Sequence, residues 1–354
     1  MSHILSTQGR HRAAEFMAAL AAFHGVPSAS SVFSVDPARA QELLPLIEED
    51  GVPFLGMVSL LPKTEMKGDV IYFGNSILSA ARTDTAGGDM RTPKAVHGLT
   101  KNVYDMSPVE NDVKLDYAQI DSWAMFPNFY DLWGQTVRRA IARDRLRVGW
   151  NGESAAVSTN GTTNPNGEDV LPGWLELIRT NEDYYVAGTV VAGQTTTHEV
   201  ILGSEDFPNL DYLVATVKAR IHPVFRSSPD LVAVISQDLV SYEEQQFLKE
   251  NGRKALDKAT ISANGQLVRT FGMMPAYCPP FLPDGVVLVT ELKNLHLYFQ
   301  PTSVRRKVED MPAANAFVDW NSRNEAYAVG DYRAASLVDG ITLYVAPEEP
   351  PAGP

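Results

Sequence analysis

Pro127-Asn-Phe-Tyr-Asp-Leu-Trp-Gly-Gln-Thr-Val-Arg-Arg-Ala-Ile-Ala-Arg-Asp-Arg-Leu-Arg-Val-Gly-Trp-Asn-Gly152 is the stretch from which the rest of the chain can be read. Phe129, Trp133, Val137 and Ile141 recur four apart, with Tyr130 and Ala140 beside them, so one face of a helix is apolar. Pro127 and Asn128 supply a start signal. Arg143, Arg145 and Arg147 crowd the far end, where cations complement the helix dipole, and Gly149 with Asn151-Gly152 supplies the stop. At ~1.5 Å per residue the helix is roughly 30–35 Å long, enough to cross a whole domain. Before it lies an extended region with few core signals. After it lies an ordinary mixture of helices and strands, an α+β pattern.

Composition narrows the classes. The chain has 354 residues, of which 44% are hydrophobic and 21% charged, as expected of a globular protein large enough for two domains. Its formal net charge of -13 is the wrong sign for gripping nucleic acid through phosphates. The single cysteine, Cys278, excludes an intramolecular disulfide framework and a cysteine metal cluster. The histidines at positions 3, 11, 24, 97, 198, 222 and 296 have no zinc-binding spacing. No apolar run approaches the ~20 residues of a membrane span.

Taken in order, residues 10–24 form an amphipathic helix with Phe16, Leu20 and Phe23 on one face. A competing reading makes Arg10 and Arg12 the basic region of a secretory signal, but Glu15 interrupts its short apolar core. Pro27 and the serine run 28–31 read as a flexible link without a core anchor, and a short helix is expected over 37–47. Residues 70–73 read as a strand, and Val113, Leu115 and Tyr117 alternate with Asp112, Lys114 and Asp116 as a half-buried strand does. Between them lies a long run rich in Gly, Thr, Asp and Pro. A structureless loop of that length is unusual inside a compact domain, so it is either disordered or rests on something outside its own subunit. Beyond the central helix, helices are expected over 172–178, 207–225 and 241–251. Strands are expected over 184–191, 198–202, 231–235, 285–290, 295–299, 327–335 and 340–345. Residues 347–354 form a proline-rich tail.

Templates for catalysis fail. The chain has no Gly-x-Ser-x-Gly, no phosphate-binding Gly-x4-Gly-Lys and no His-Glu-x-x-His. Asp84-Thr85-Ala86-Gly87 is spoiled as a protease motif by Ala86 and reads as a turn. His222 before Pro223 reads as a structural histidine. Arg305-Arg306-Lys307 is either a solvated loop or a contact with an acidic neighbour. No catalytic residue, metal site or cofactor is expected.

Several stretches, in their order and spacing, carry a family resemblance. They are Thr83-Asp84-Thr85-Ala86-Gly87-Gly88 with Arg91 and Pro93-Lys94; Asp121-Ser122-Trp123-Ala124; Arg139-Ala140-Ile141 through Gly149-Trp150-Asn151-Gly152; and Asn164-Pro165 with Asp169-Val170 and Gly173-Trp174-Leu175. Pro229-Asp230-Leu231-Val232, Leu292 to Tyr298, Arg305-Arg306, Asp331-Tyr332 and Leu337-Val338 continue it. Together they resemble the major capsid proteins of peduovirus-type tailed bacteriophages.

The resemblance implies the shell fold of tailed phages and herpesviruses, with seven segments in this chain. These are a scaffolding-like segment 1–33 removed on maturation, an N-terminal arm 34–62, an extended β-loop 63–117, and a peripheral domain 118–205 with the spine helix. An axial domain 206–311, a return to the peripheral domain 312–346 and a tail 347–354 complete it. It implies self-assembly into hexamers and pentamers of an icosahedral head, in the virion and, during assembly, in the host cytoplasm. The implied partners are other copies, an internal scaffold with its prohead protease, a portal protein, and double-stranded DNA enclosed without sequence-specific binding. By the same resemblance, Asp84, Thr85, Gly87, Gly88, Arg91 and Lys94 belong to the intersubunit loop, with hinges near Gly74, Gly87 and Gly88. Phe16, Leu20 and Phe23 would hold the scaffold, and cleavage falls between Ser28 and Ser34, beside Phe33. Two rival readings are a secreted hydrolase-like enzyme with a signal peptide and another phage structural component, of tail or decoration type.

Overall fold

The computed structural model of the chain describes residues 6–35, 53–74, 80–85, 87–92, 98–123, 129–181, 185–187, 200–251, 260–261 and 267–344. The expected helix over 37–47, Ala86, Lys94 and the tail 347–354 lie outside the described residues.

The long helix spans Phe129–Asn151, and Trp133, Val137, Ile141, Ala142, Leu146 and Trp150 are buried along it. Its end differs from the sequence expectation. The last turn holds no basic residue. The Asn151 side-chain amide instead donates to the carbonyls of Arg147 and Phe281, both at 2.9 Å. Gly149 lies inside the helix rather than stopping it. A Cβ there would stand 2.5 Å from the Trp174 ring, so the glycine is what lets that indole press against the helix backbone. A Cβ on Gly152 would stand 1.9 Å from the Leu171 carbonyl, and one on Gly173 would stand 2.5 Å from the carbonyls of Val148 and Gly149. The resemblance motifs Gly149-Trp150-Asn151-Gly152 and Gly173-Trp174-Leu175 are thus two halves of one close contact.

Trp174 opens the short helix Trp174–Arg179 and is fully buried. Its ring meets Trp150 at 5.1 Å and Tyr327 at 5.0 Å, and its indole N–H donates to the His296 carbonyl at 2.8 Å. Phe54 closes on the other side of Trp150 at 5.4 Å. This aromatic column ties the long helix to a mixed sheet. The sheet is built on the strand Ala316–Val329, which pairs antiparallel with Arg305–Met311, Leu295–Phe299, Ser107–Glu110 and Val113–Asp116. Ser59–Pro62 adds parallel to Leu295–Phe299, and Phe33–Ser34 adds antiparallel at Arg305 and Arg306.

A second sheet centres on Leu231–Ile235, buried at every position as its unbroken apolar run predicts. Met274–Tyr277 pairs parallel to it and Val287–Glu291 antiparallel. Leu267–Phe271 and Thr260–Ile261 extend one side, Ala335–Asp339 and Tyr185–Ala187 the other. The helix Leu210–Arg220 buries Leu210, Leu213, Val214 and Val217 in the core beneath this sheet. Helix expected over 207–225 breaks at Ile221, where His222 caps the separate turn Pro223–Arg226.

The chain passes between the sheets at neighbouring places. Val287–Glu291 and Leu295–Phe299 lie in different sheets, and so do Ala316–Val329 and Ala335–Asp339. Asn294 clamps the two crossings. Its side chain accepts from Asp331 N–H at 2.7 Å and donates to the Asp331 carbonyl at 2.9 Å, and its carbonyl accepts from Gly330 N–H at 2.9 Å. Hence no continuous strand covers 327–335. The expected boundaries 206–311 and 312–346 also do not follow the sheets: 295–311 pair in the first and 335–339 in the second.

Gly152→Ala is expected to destabilise the unassembled subunit by about 1–3 kcal/mol, the range for overpacking a close contact, read by chemical denaturation.

Candidate assembly interface

The run between the strands near 70 and 113 is not structureless. Lys67–Gly74 and Gly98–Asp105 form an antiparallel hairpin in continuous register, from Lys67 opposite Asp105 to Gly74 opposite Gly98. Alternation breaks at Tyr117, which starts the helix Tyr117–Trp123 instead of continuing the strand. The root of the hairpin is apolar. Val70, Tyr104 and Met106 form a small core with Tyr298, Ala326 and Ala328 of the first sheet. The Tyr104 and Tyr298 rings lie 4.7 Å apart, and the Lys63 ammonium lies 5.0 Å from the Tyr298 ring centre. Burial pushes the Tyr298 hydroxyl up to about 12 and raises Tyr104 as well, with Glu65 adding to the latter. Both therefore stay neutral at physiological pH.

The described residues of the tip, 80–85 and 87–92, are all exposed. The Asp84 carboxylate accepts from Gly87 N–H at 3.0 Å and its carbonyl from Asp89 N–H at 3.2 Å, while Gly88 takes a φ of 96°. This is a local turn that orders Asp84, Thr85, Gly87 and Gly88 by themselves, with Arg91 beyond it. Met90 is 88% exposed.

The N-terminal expectations need correcting. The helix Thr7–His24 is capped by Ser6, whose hydroxyl accepts from Gly9 N–H, and ended by Gly25 in the left-handed region. Its face of Ala13, Phe16, Leu20 and Ala21 is buried in the main core with Tyr117 and Ile120. Phe16 and Leu20 therefore do not offer a free surface to a scaffold in this fold; only Phe23 of the three is exposed. Nor is the serine-rich link unanchored. Ala29, Phe33 and Val35 are buried. Val308 N–H donates to the Ala29 carbonyl and Val35 N–H to the Val304 carbonyl, each at 2.9 Å. Phe33 and Ser34 thus occupy a sheet edge beside Arg305 and Arg306.

Sequence reasoning missed the charges inside the body. Arg145 continues the four-residue spacing of Val137 and Ile141, which was the available signal, and it points inward rather than toward the helix end. Its side chain is 3% exposed and that of Glu325 is 2% exposed, and its Nε and Nη2 reach one Glu325 oxygen at 3.0 and 2.5 Å. Arg323 Nε lies 3.2 Å from the same oxygen, and Arg323 Nη2 donates to Asn111. The Tyr327 hydroxyl donates to the Arg145 carbonyl at 2.6 Å. Burial drives the Glu325 carboxyl upward, but Arg145 and Arg323 outweigh it and hold the acid below its ordinary range. Burial pulls Arg323 down and raises Asp144. Arg306, in the basic triplet, makes a two-point pair with Asp319 on the adjacent strand, so the acidic neighbour is in the same chain. The Arg145–Glu325 pair ties the long helix to the strand Ala316–Val329, and the Arg306–Asp319 pair ties that strand to its neighbour.

A two-sheet body crossed by a long helix, with a long hairpin rooted on the first sheet, is the subunit of a tailed-phage head shell. The chain aligns at a TM-score of 0.75 and 28% identity with a chain of the satellite phage P4 procapsid including size determination protein, covering 95% of this chain and 98% of that one. It belongs to the P2 family of phage major capsid proteins, whose family model matches residues 13–341. It is 30% identical over 336 residues to the capsid proteins of Escherichia phage P2, with 93% of each covered. It is 28% identical over 316 residues to the major capsid protein of Serratia phage KSP20, with 88% of this chain and 89% of that one covered. The protein is a major capsid protein of a phage head.

Replacing Glu325 by Gln leaves two buried guanidiniums without a carboxylate and is expected to destabilise the subunit at neutral pH by about 3–5 kcal/mol. Because the folded Glu325 pKa is depressed, its contribution is full above the ordinary glutamate pKa and is lost as pH falls through the folded value. Denaturation curves of wild type and variant should therefore converge on acidification through that window.

Proposed function

We propose that the chain assembles into hexamers and pentamers of an icosahedral head, with the loop around residues 80–92 lying over a neighbouring copy. The observation that carries this is the hairpin: its root has its own small core, and the described residues of its tip, 80–85 and 87–92, are all exposed. Asp84, Thr85, Gly87, Gly88, Arg91 and Lys94 are the loop residues that would meet the neighbour, and many modest contacts of this kind accumulate by avidity in a closed shell. The body 118–346 supplies the shell wall. The role is structural and not enzymatic, played in the host cytoplasm until the head is complete.

A scaffold with its protease, a portal protein and double-stranded DNA are the further partners. The acidic balance suits a shell that encloses DNA without gripping it. Cleavage beside Phe33 and Ser34 would remove 1–33. Since these residues pair at a sheet edge, the protease must first peel a two-residue strand, a small local opening.

Electron microscopy of protein expressed with its phage partners should show closed shells; a chain that remains monomeric at high concentration refutes the assembly reading. Amides at 80–92 should exchange rapidly in free subunits and slowly in shells, and equal exchange in both argues against docking of the loop. Intact mass from mature particles should lack roughly the first thirty residues. A full-length chain there overturns the cleavage.

A further inference from the structure

The N-terminal helix carries both of its own caps. Ser6 Oγ accepts from Gly9 N–H at 3.0 Å, and beyond Gly25 the Val26 N–H donates to the Ala21 carbonyl at 2.9 Å. Arg12 and Glu15 pair at 3.0 Å along it. Helix ends satisfied from within the segment persist when the chain beyond them is interrupted.

What covers the helix comes from far along the chain. It packs on the helix Tyr117–Trp123, whose Tyr117 and Ile120 are buried in one core with Ala13, Phe16, Leu20 and Ala21. The Asp121 carboxylate accepts from the Ser6 backbone N–H at 3.2 Å and from the Ser6 hydroxyl, so the N-cap is fastened to that same helix. Further on, the buried Ala29 accepts from Val308 N–H at 2.9 Å through its carbonyl. Ser30, Ser31 and Val32, which follow, are exposed. A cut after Ala29 therefore breaks the chain and none of these contacts.

We propose that the surface formed by Tyr117, Ile120 and Asp121, with the strand Arg305–Met311 at Val308, is a docking site for an amphipathic helix. Its occupant, the segment 6–29 of this chain, stays bound non-covalently once the chain is cut beside Phe33. Retention in particles rests on the cleavage reading above, whereas the docking rests only on the contacts just described. Cutting turns an internal contact into an association between two molecules, which costs freedom of motion. A helix with its own caps lowers that cost, and a closed particle keeps the two pieces at high effective concentration.

The test places a recognition sequence for a site-specific protease between Ser30 and Ser31 of the full chain. After cutting, the N-terminal piece should elute with the body in size exclusion, and denaturing mass spectrometry should find the two in equal amounts. Phe16→Ala should speed release of the piece roughly 100-fold, as loss of a buried aromatic does. Asp121→Ala, at an exposed position, should speed it severalfold without threatening the fold. A wild-type piece that elutes apart from the body overturns the proposal, and so does release unchanged in both variants. In washed mature particles the piece should accompany the shortened chain. A shortened chain alone overturns retention while leaving cleavage standing; a full-length chain refutes cleavage, and the engineered cut still decides the docking.

Discussion

The contact on which the body of this protein depends is the indole of Trp174 pressed against a helix backbone at Gly149. Three glycines make it possible, because side chains at 149, 152 and 173 would each overlap atoms already in place. The indole then reaches Trp150, Tyr327 and the carbonyl of His296, so one side chain joins the long helix to two strands of the first sheet. Close packing of this kind is sensitive to a single carbon atom, since an interior at crystal-like density has no spare volume.

Around that column the charges do different work. Arg145, Glu325 and Arg323 sit in the interior, where an ion pair adds little net stability compared with an apolar isostere but strongly disfavours any arrangement that separates its members. They fix the angle of the helix over the sheet. The Asn294 clamp fixes the two sheets to each other in the same way, through hydrogen bonds and without a charge pair of its own. A shell subunit needs such stiffness, because errors in the angle between neighbours accumulate around a closed surface. The hairpin is the opposite case: its root is packed on the first sheet, while the described residues of its tip are exposed.

Much of the architecture was legible in the order of residues. The periodicity of 129–151, the apolar run 231–235 and the strand 295–299 all stand where their patterns put them, because local periodicity reports which face is buried. The long strand Ala316–Val329 was not legible before Tyr327, since Asp319, Arg323 and Glu325 make it look solvated. Arg145, which pairs with Glu325, lies 180 residues away, and Arg306, which pairs with Asp319, is reached only once the two strands fold against each other. The hairpin was read as an unsupported loop for a related reason: its strands are separated by a long tip, and pairing across such a gap leaves no local signature. Phe16 and Leu20 were correctly placed on one helix face, but a pattern cannot say whether that face is covered by its own chain or by another.

The sequence by itself determined the elements that depend on local spacing: the long helix, the apolar strands, the acidic balance and the scattered motifs that carry the family. Only the tertiary structure decided what covers each face. It turned Arg145 inward, seated Phe33 on a sheet edge and gave Gly149 its reason. Burial and pairing are properties of residues distant in the chain and brought together by folding, and no window of sequence contains both partners.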